Sequence, residues 1–325
     1  MKKTNLIYSF SIIALAAGLL FTGCKKKKAF KDEDGQSSAD NRSVQSENDA
    51  AVNDVNTEVG NNTFLHGRTV NGSSAVAIQK ALGITSTGYT IDTTGAYLGT
   101  IKINYNGTTV SNRTRTGSIR LTILNYPAKK WKDQGCVLKV DYLAYKVTRA
   151  SDGKSVELNG TQNITNETGG SWWELLIIKT QTSLGTSVTG TNLNVTFDGD
   201  KTAVYNINRK FTYTLPGGIL TCTGEGIGSE GDLTGLENYG TTRDGDTFTS
   251  QVTTPIVWNW TCGWWAPVAG AVDIKVADKE FDLKVTFSVD QTGNSVTAGS
   301  NACPYGFKVE WTHKKKTNKK IFGYV

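Results

Sequence analysis

From Tyr89 onward the chain alternates apolar and polar positions with a period of two. In GTIKINYNG, Ile101, Ile103 and Tyr105 stand against Lys102 and Asn104, and in SIRLTILNY, Ile119, Leu121 and Ile123 stand against Arg120 and Thr122. That period puts successive side chains on opposite faces of a strand. VLKVDYLAYKVTRASDGKSVELNG reads as a long hairpin closed at Ser151-Asp152-Gly153, and NVTFDGDKTAVYNINRKFTYTL as a second closed at Asp198-Gly199-Asp200. Asp-Gly between alternating runs is a strong short-range hairpin signal. Further strands fit 247–262, 270–276, 281–289, 306–312 and 320–325, the last two forming a terminal hairpin with lysines at its turn. The pattern predicts an all-β body: an antiparallel β-sandwich or partly closed β-barrel of roughly a dozen strands.

Before the strands the period changes. In SVQSENDAAVNDVNTEVG, Val52, Val55 and Val59 fall on one helical face, Ser43 or Ser46 can cap the start, and Gly60 can end it. A stripe this thin predicts a short N-terminal helix that is stable only when docked. Residues 24–40 are polar and read as a disordered charged tether. The expected organisation is therefore a signal at 1–23, a tether at 24–40, a helix and connection at 41–88, and a β-rich body at 89–325, built as one domain or two packed subdomains.

The first 23 residues have the parts of a secretory signal. Lys2 and Lys3 precede an apolar run of 16 residues, Leu6 to Phe21, and the small residues Thr22 and Gly23 come just before Cys24. The run is short of the ~20 apolar residues that a permanent span needs. Cysteine straight after small residues resembles the lipobox of bacterial lipoproteins, with Phe21 in place of the usual Leu. That resemblance implies cleavage before Cys24 and acylation of its thiol and amino group, palmitate among the acyl chains. The charged tract Lys25 to Gly35 resembles the export signals of Bacteroidota surface lipoproteins, which implies a lipid-anchored place in the outer membrane, at the cell surface. A solvated tether is the plainer reading of the same tract.

Charge adds one correction to this picture. The 35 basic and 29 acidic residues give a formal net charge of +6 and a pI near 8.9, but four of the lysines are Lys25–Lys28 and five more lie at 314, 315, 316, 319 and 320. Without those nine and the signal's two lysines the body is net acidic. The basic pI therefore belongs to the ends of the chain and not to a nucleic-acid surface.

The four other cysteines, an even number in an oxidising compartment, suggest disulfides. Cys262 and Cys303 both sit near strand ends in aromatic surroundings, WNWTCGWW and NACPYGF, and form the expected pair; Cys136 with Cys222 is the remainder. A zinc site has no C-x-x-C, and only His66 and His313 are available to assist one.

Two stretches are candidates for binding. In VWNWTCGWW, an extended strand would place Trp258, Trp260 and Cys262 on one face; with Trp264 and Trp265, and with Trp172 and Trp173 as a second patch, the indoles make a stacking platform for sugars if exposed, or core if buried. The acidic segment CTGEGIGSEGDLTGLENYGTTRDGD offers Glu225, Glu230, Asp232, Glu237, Asp244 and Asp246 as oxygen ligands that calcium accepts, but without the alternation of a calcium loop. A flexible, solvated connection is the alternative reading, and no cofactor is otherwise implied. The segment's formal G-x-G-x-x-G match lacks the strand-to-helix context of a dinucleotide site.

There is no G-x-S-x-G and no H-E-x-x-H. Paired carboxylates remain conceivable, with Glu174 the first suspect, against an ordinary strand-edge acid. The order of lipid cysteine, tether, DNRSVQSENDAAVNDVNTEV, RTGSIRLTI, LNGTQNITNETGG and VTTPIVWNWTCGWW resembles a family of uncharacterised Bacteroidota (Flavobacteria-type) surface lipoproteins. That resemblance implies location and fold and carries no activity. The expectation is a non-catalytic envelope lipoprotein, held to the membrane through Cys24. Its body would bind glycan or envelope material or serve as a structural component of an outer-membrane protein complex, with a polysaccharide-acting enzyme as the remoter alternative.

Overall fold

Alternation along the chain becomes one antiparallel sheet of fifteen strands in the computed structural model, which describes residues 32–67, 88–110, 112–263, 266–277, 282–296, 303–313 and 316–324. The strands are β1 (Tyr89–Asp92), β2 (Thr100–Val110), β3 (Arg113–Ile123), β4 (Cys136–Arg149), β5 (Ser155–Asn166), β6 (Ser183–Phe197), β7 (Lys201–Thr214), β8 (Thr221–Gly226), β9 (Gly228–Glu230), β10 (Leu233–Thr241), β11 (Thr247–Asn259), β12 (Pro267–Val276), β13 (Leu283–Val289), β14 (Gly306–His313) and β15 (Lys316–Gly323). They pair almost wholly in chain order. The exception lies between β7 and β11, where β10 pairs with one end of both strands and β8 with the other. The expected hairpins form: β4–β5 around 150–154, β6–β7 around 198–200, and β14–β15 with His313 opposite Lys316. Ile101, Ile103, Ile119, Leu121 and Ile123 all face the core.

A row of irregularities bends the sheet. Register breaks between Asn106 and Thr109, Thr116 and Ser118, Tyr142 and Tyr145, Asn159 and Gln162, and Gly190 and Leu193, that is, in five consecutive strand pairs from β2–β3 to β6–β7. Bulges increase local twist and bend the strand that carries them. Gly117 shows how tight this row is: its φ is +83°, and an added Cβ would lie 2.0 Å from the Ala144 carbonyl oxygen. Any side chain there forces β3 and β4 apart.

The sheet curls around a helix, α1 (Asp32–Asn61), followed by a single turn, α2 (Thr63–His66), whose start is capped by the Asn62 side chain. Val52, Val55 and Val59 are buried as their spacing predicts. The helix is described from Asp32, however, so residues 32–40 are helical where a tether was expected, and the rest of that expected tether, 24–31, lies outside the described residues. More unexpectedly, polar residues are buried around most of the circumference, among them Asp40, Asn41, Arg42, Glu47, Asn48, Asp49, Asn53 and Asn56. Consecutive residues meet different strands. Asn41 donates to Ser250 on β11 and accepts from Asn238 on β10; Asn48 donates to Tyr142 on β4 and Gln162 on β5. Partly exposed positions, Ser43, Ala50, Asp54, Glu58 and Asn61, fall on one stripe. The body is thus a partly closed barrel with α1 as its filling.

Buried charges hold α1 in register. Arg243, beyond β10, binds Asp40 at 2.5 and 2.7 Å; Arg113 on β3 binds Glu47 at 2.7 Å; Arg115 on β3 and Tyr105 on β2 bind Asp54 at 3.0 and 2.8 Å; and Tyr89 on β1 binds Glu58 at 2.7 Å. At the centre Arg209 on β7 donates to Asp49, with Glu237 on β10 at 3.7 Å. Burial pushes the Asp49 and Glu237 carboxyls up, and the guanidinium between them works the other way.

Removing one member of a buried pair typically costs about 3–5 kcal/mol, whereas an exposed pair contributes about 1 kcal/mol or less. Arg209→Met should therefore lower unfolding free energy in urea by about 3–5 kcal/mol, and Arg120→Ala, which removes an exposed cation from Asp141, by less than about 1 kcal/mol. Equal losses in the two variants would contradict the role given to the buried ladder.

Candidate functional site

Among the described residues, the tryptophans named from sequence do not assemble into an exposed platform. β11 ends at Asn259, and Trp260 to Cys262 form a 3-10 turn, so the extended geometry that would align Trp258, Trp260 and Cys262 on one face is absent. Trp258 is core: 1% exposed, packed on Phe211 at 6.1 Å between ring centroids, with the guanidinium groups of Arg209 and Arg42 at 5.8 and 6.0 Å from its ring. Trp172 is buried as well and meets the half-buried Trp260 edge-on at 6.4 Å. Trp173 is half-buried, and Trp264 and Trp265 lie outside the described residues. Cys24 lies outside them too.

Cys262 and Cys303 are bonded, closing a 41-residue separation. In the chain-entropy view a loop of that length contributes about 4 kcal/mol. Cys136 and Cys222 are not paired with each other; both are free, buried thiols on β4 and β8, which corrects the second disulfide. Cys222 faces the core beside Tyr213, and burial pushes its thiol far up.

The acidic glycine-rich segment is also corrected. It is not a flexible connection but β8, β9 and β10, and Glu237 in its middle is fully buried on Arg209 and Ser250. Its remaining acids are not gathered into a set: among the described residues no three Asp, Glu, His or Cys side chains converge as metal ligands do.

Glu174 does have partners that spacing could not reveal. It sits in a single π-helical turn, Trp173–Ile177, inside the β5–β6 connection. Ser171 donates to Glu174 Oε2 at 2.5 Å, and His66 Nε2, from α2, lies 2.7 Å from the Ser171 hydroxyl and 3.5 Å from Glu174. Because the hydroxyl hydrogen goes to Glu174, His66 Nε2 is the donor to Ser171, and the imidazole takes no proton from the serine. A nucleophile needs the reverse arrangement, with the base receiving that hydrogen. His66 is fully buried and Ser171 nearly so. The trio is a clamp that fixes α2 to the β5–β6 connection. Burial raises the Glu174 carboxyl, but the adjacent His66 imidazole and the hydrogen bond from Ser171 outweigh it and hold it at about 2.

The two ends of the body differ. Short turns follow β2, β4, β6 and β10 at the end where α1 starts, marked by the Asp40–Arg243–Asp198 contacts. Longer connections, 93–99, 124–135 and 167–182, lie where α1 and α2 finish. These connections are tied together: Trp131 N donates to Leu65 O, Gly170 N donates to Lys132 O, and Gly99 backs onto Tyr126. With α2 they carry five of the nine large exposed apolar side chains among the described residues: Phe64, Tyr97, Leu98, Leu124 and Ile178 are each about half exposed or more, from 49% to 63%. Scattered exposed apolar residues are ordinary; these five lie on segments at one end of the body.

No protein-family model, curated protein or solved structure matches this chain. The reading of its function therefore rests on its own geometry.

Two carboxyls carry opposite pH dependences. Glu58 is raised to about 7, chiefly by burial, so its contribution to stability is complete below about 4.5 and is lost as pH rises through 7. Glu174 is lowered, so its contribution is present above about 4.5 and is lost as pH falls towards 2. Thermal melts should show Glu58→Gln gaining on the wild type between pH 5 and 8, and Glu174→Gln falling below it at pH 7 with the gap closing on acidification. Parallel pH profiles in all three proteins would contradict both assignments.

Proposed function

We propose that this chain is a non-catalytic cell-envelope lipoprotein, anchored through acylated Cys24, whose β-rich body binds another envelope component at the end where α1 and α2 finish. The observation that carries the reading is the polarity of the body. Because α1 starts at Asp32, only seven residues separate it from Cys24. Fully extended, a stretch of that length reaches at most about 25 Å. An anchor there keeps the turn end beside the membrane, with Lys25–Lys28 near anionic headgroups, and directs the apolar connections outward.

A protein partner fits this surface better than a glycan. Trp258 and Trp172, two of the six indoles named for a sugar platform, are interior, while aliphatic and aromatic side chains on the connections are exposed. Glycan contact stands second, favoured only by the half-buried Trp260 edge-on to Trp172. In either case the protein acts as a structural or assembly component of the outer membrane at the cell surface, and no bond-making step is assigned to it.

Two measurements in the native host test this. Cys24→Ala should move the protein from the membrane pellet to the soluble fraction. Photocrosslinking from Tyr97, Leu98 or Leu124 should give a discrete adduct with one envelope protein, and crosslinking from Lys154 or Lys201 at the turn end should not. Membrane retention of Cys24→Ala, or equal adducts from both ends, would refute the proposal.

A further inference from the structure

The polar ladder on α1 holds only part of the sheet. Every hydrogen bond and ion pair described from an α1 side chain to the sheet, from Asp40 on Arg243 to Glu58 on Tyr89, ends between β1 and β11. Towards β12–β15 the helix meets aromatic rings instead, as where the Arg42 guanidinium lies over Phe287 at 5.1 Å. β15 is the last strand of the sheet and pairs only with β14. Among the described side chains that hairpin buries Phe307 and Val309, both on β14, whereas β7 alone buries six. It is therefore the strand pair least tied to the interior.

Its inner face is also incompletely filled. A cavity of about 100 Å³ is lined by Phe307, Phe322 and Tyr324 from the hairpin and by Arg113 and Arg149 at the ends of β3 and β4. The strongest ties are at the root. Tyr324, just after β15, donates to Pro267 O at 3.0 Å and accepts from Ser288 N at 3.3 Å. Cys303, just before β14, is bonded to Cys262, just after β11. This bridge spans β12 and β13 and joins the root directly to β11, the last strand that the ladder reaches through Ser250. Cys303 is exposed and Cys262 partly so, which leaves the bridge open to a reagent in solution.

We infer that the β14–β15 hairpin is a strap, clipped to the ladder-held body by Cys262–Cys303 and released when a dithiol reductant opens that bridge. A thiolate of the reductant attacks the exposed Cys303 sulfur, and Cys262 leaves as a thiolate and takes up a proton. The second thiol of the reductant then displaces Cys303, so the reductant ends as a disulfide and both cysteines as thiols. Local opening draws on elements with few buried contacts, and the strap is such an element. Its release bares the inner face of β13 and the stretch of α1 around Arg42, while β1–β11 stay closed on the rest of the helix. A bridge that only staples the fold acts through the unfolded chain and protects all strands alike. The inference does not depend on the docking surface proposed above.

The test is amide hydrogen exchange, read by mass spectrometry, on the full-length protein solubilised in detergent, with and without dithiothreitol. Cys136 and Cys222 are already thiols, so among the described residues the reagent acts on one bridge. Amides of β14 and β15 should exchange at least about tenfold faster after reduction, and those of β2 to β7 should stay within about twofold of their oxidised rates. The Cys262→Ser/Cys303→Ser variant should show the fast hairpin without reductant, which separates loss of the bridge from any other effect of the reagent. Unchanged exchange in the reduced hairpin, equal acceleration of β2 to β7, or a slow hairpin in the folded variant would overturn the assignment.

Discussion

Everything in this body depends on placing a polar helix in the interior of a sheet. Of the thirty residues of α1, those facing inward include carboxylates, amides and hydroxyls that would ordinarily stay in water. Desolvating them is costly, and the sheet offsets the cost with arginines and tyrosines at matched positions. Neither half is complete alone. A sheet without α1 would leave Arg113 and Arg115 without the acids they bind and Arg209 with Glu237 alone, and α1 without the sheet is a sequence of weak helix formers, rich in Asn, Asp, Ser and Thr. The ladder also sets position: sliding α1 by one turn would set every acid opposite the wrong partner, so the charges specify one register where three valines alone would permit several.

The bend in the sheet makes this possible. Five consecutive bulges tighten the curl along one line, and a layer of tyrosines, Tyr105, Tyr142 and Tyr145, packs at that level with centroids 4.9 to 5.8 Å apart. Tyrosine suits the place because its ring fills the space inside the curve while its hydroxyl reaches a polar atom of the helix, as Tyr105 does with Asp54 and Tyr142 with Asn48. The same curl carries short turns to one end and long connections to the other, which gives the body two different faces.

The strands were legible because alternation and Asp-Gly turns are local signals, and the Cys262–Cys303 bridge because both residues flank strand ends. The rest depended on long-range contacts. The start of α1 was placed late because residues 32–40 have little intrinsic helicity and no apolar stripe; tertiary surroundings decide it. Trp258 was ambiguous because exposure depends on what lies behind a strand, and here that is Phe211 and two arginines. Cys136 and Cys222 were paired by elimination, which says nothing about distance. One signal was available and went unread. Along β7 the inward positions are Ala203, Tyr205, Ile207, Arg209, Phe211 and Tyr213, so an arginine sits in phase with five core residues. A cation on the apolar face of a strand implies a buried anion elsewhere, and the acid-rich, otherwise unremarkable segment before the strands was the place to seek it. The His66–Ser171–Glu174 clamp had no such signal, since its members are joined only by the path of the β5–β6 connection.

The central position of α1 also constrains the order in which the molecule can be completed. Asn41 meets Ser250 across 209 positions of sequence, and Asp40 meets Arg243 across 203. A ribosome releases α1 first and β11 to β15 last, so the element that fills the interior is made before most of what surrounds it. Such distant contacts make for slow folding, because the closure entropy is spent before the contacts reward it. The nascent chain cannot assemble this core piece by piece, and the polar surface of α1 keeps the early segment soluble while it waits. A chain with that property stays threadable until its last hairpin has been delivered.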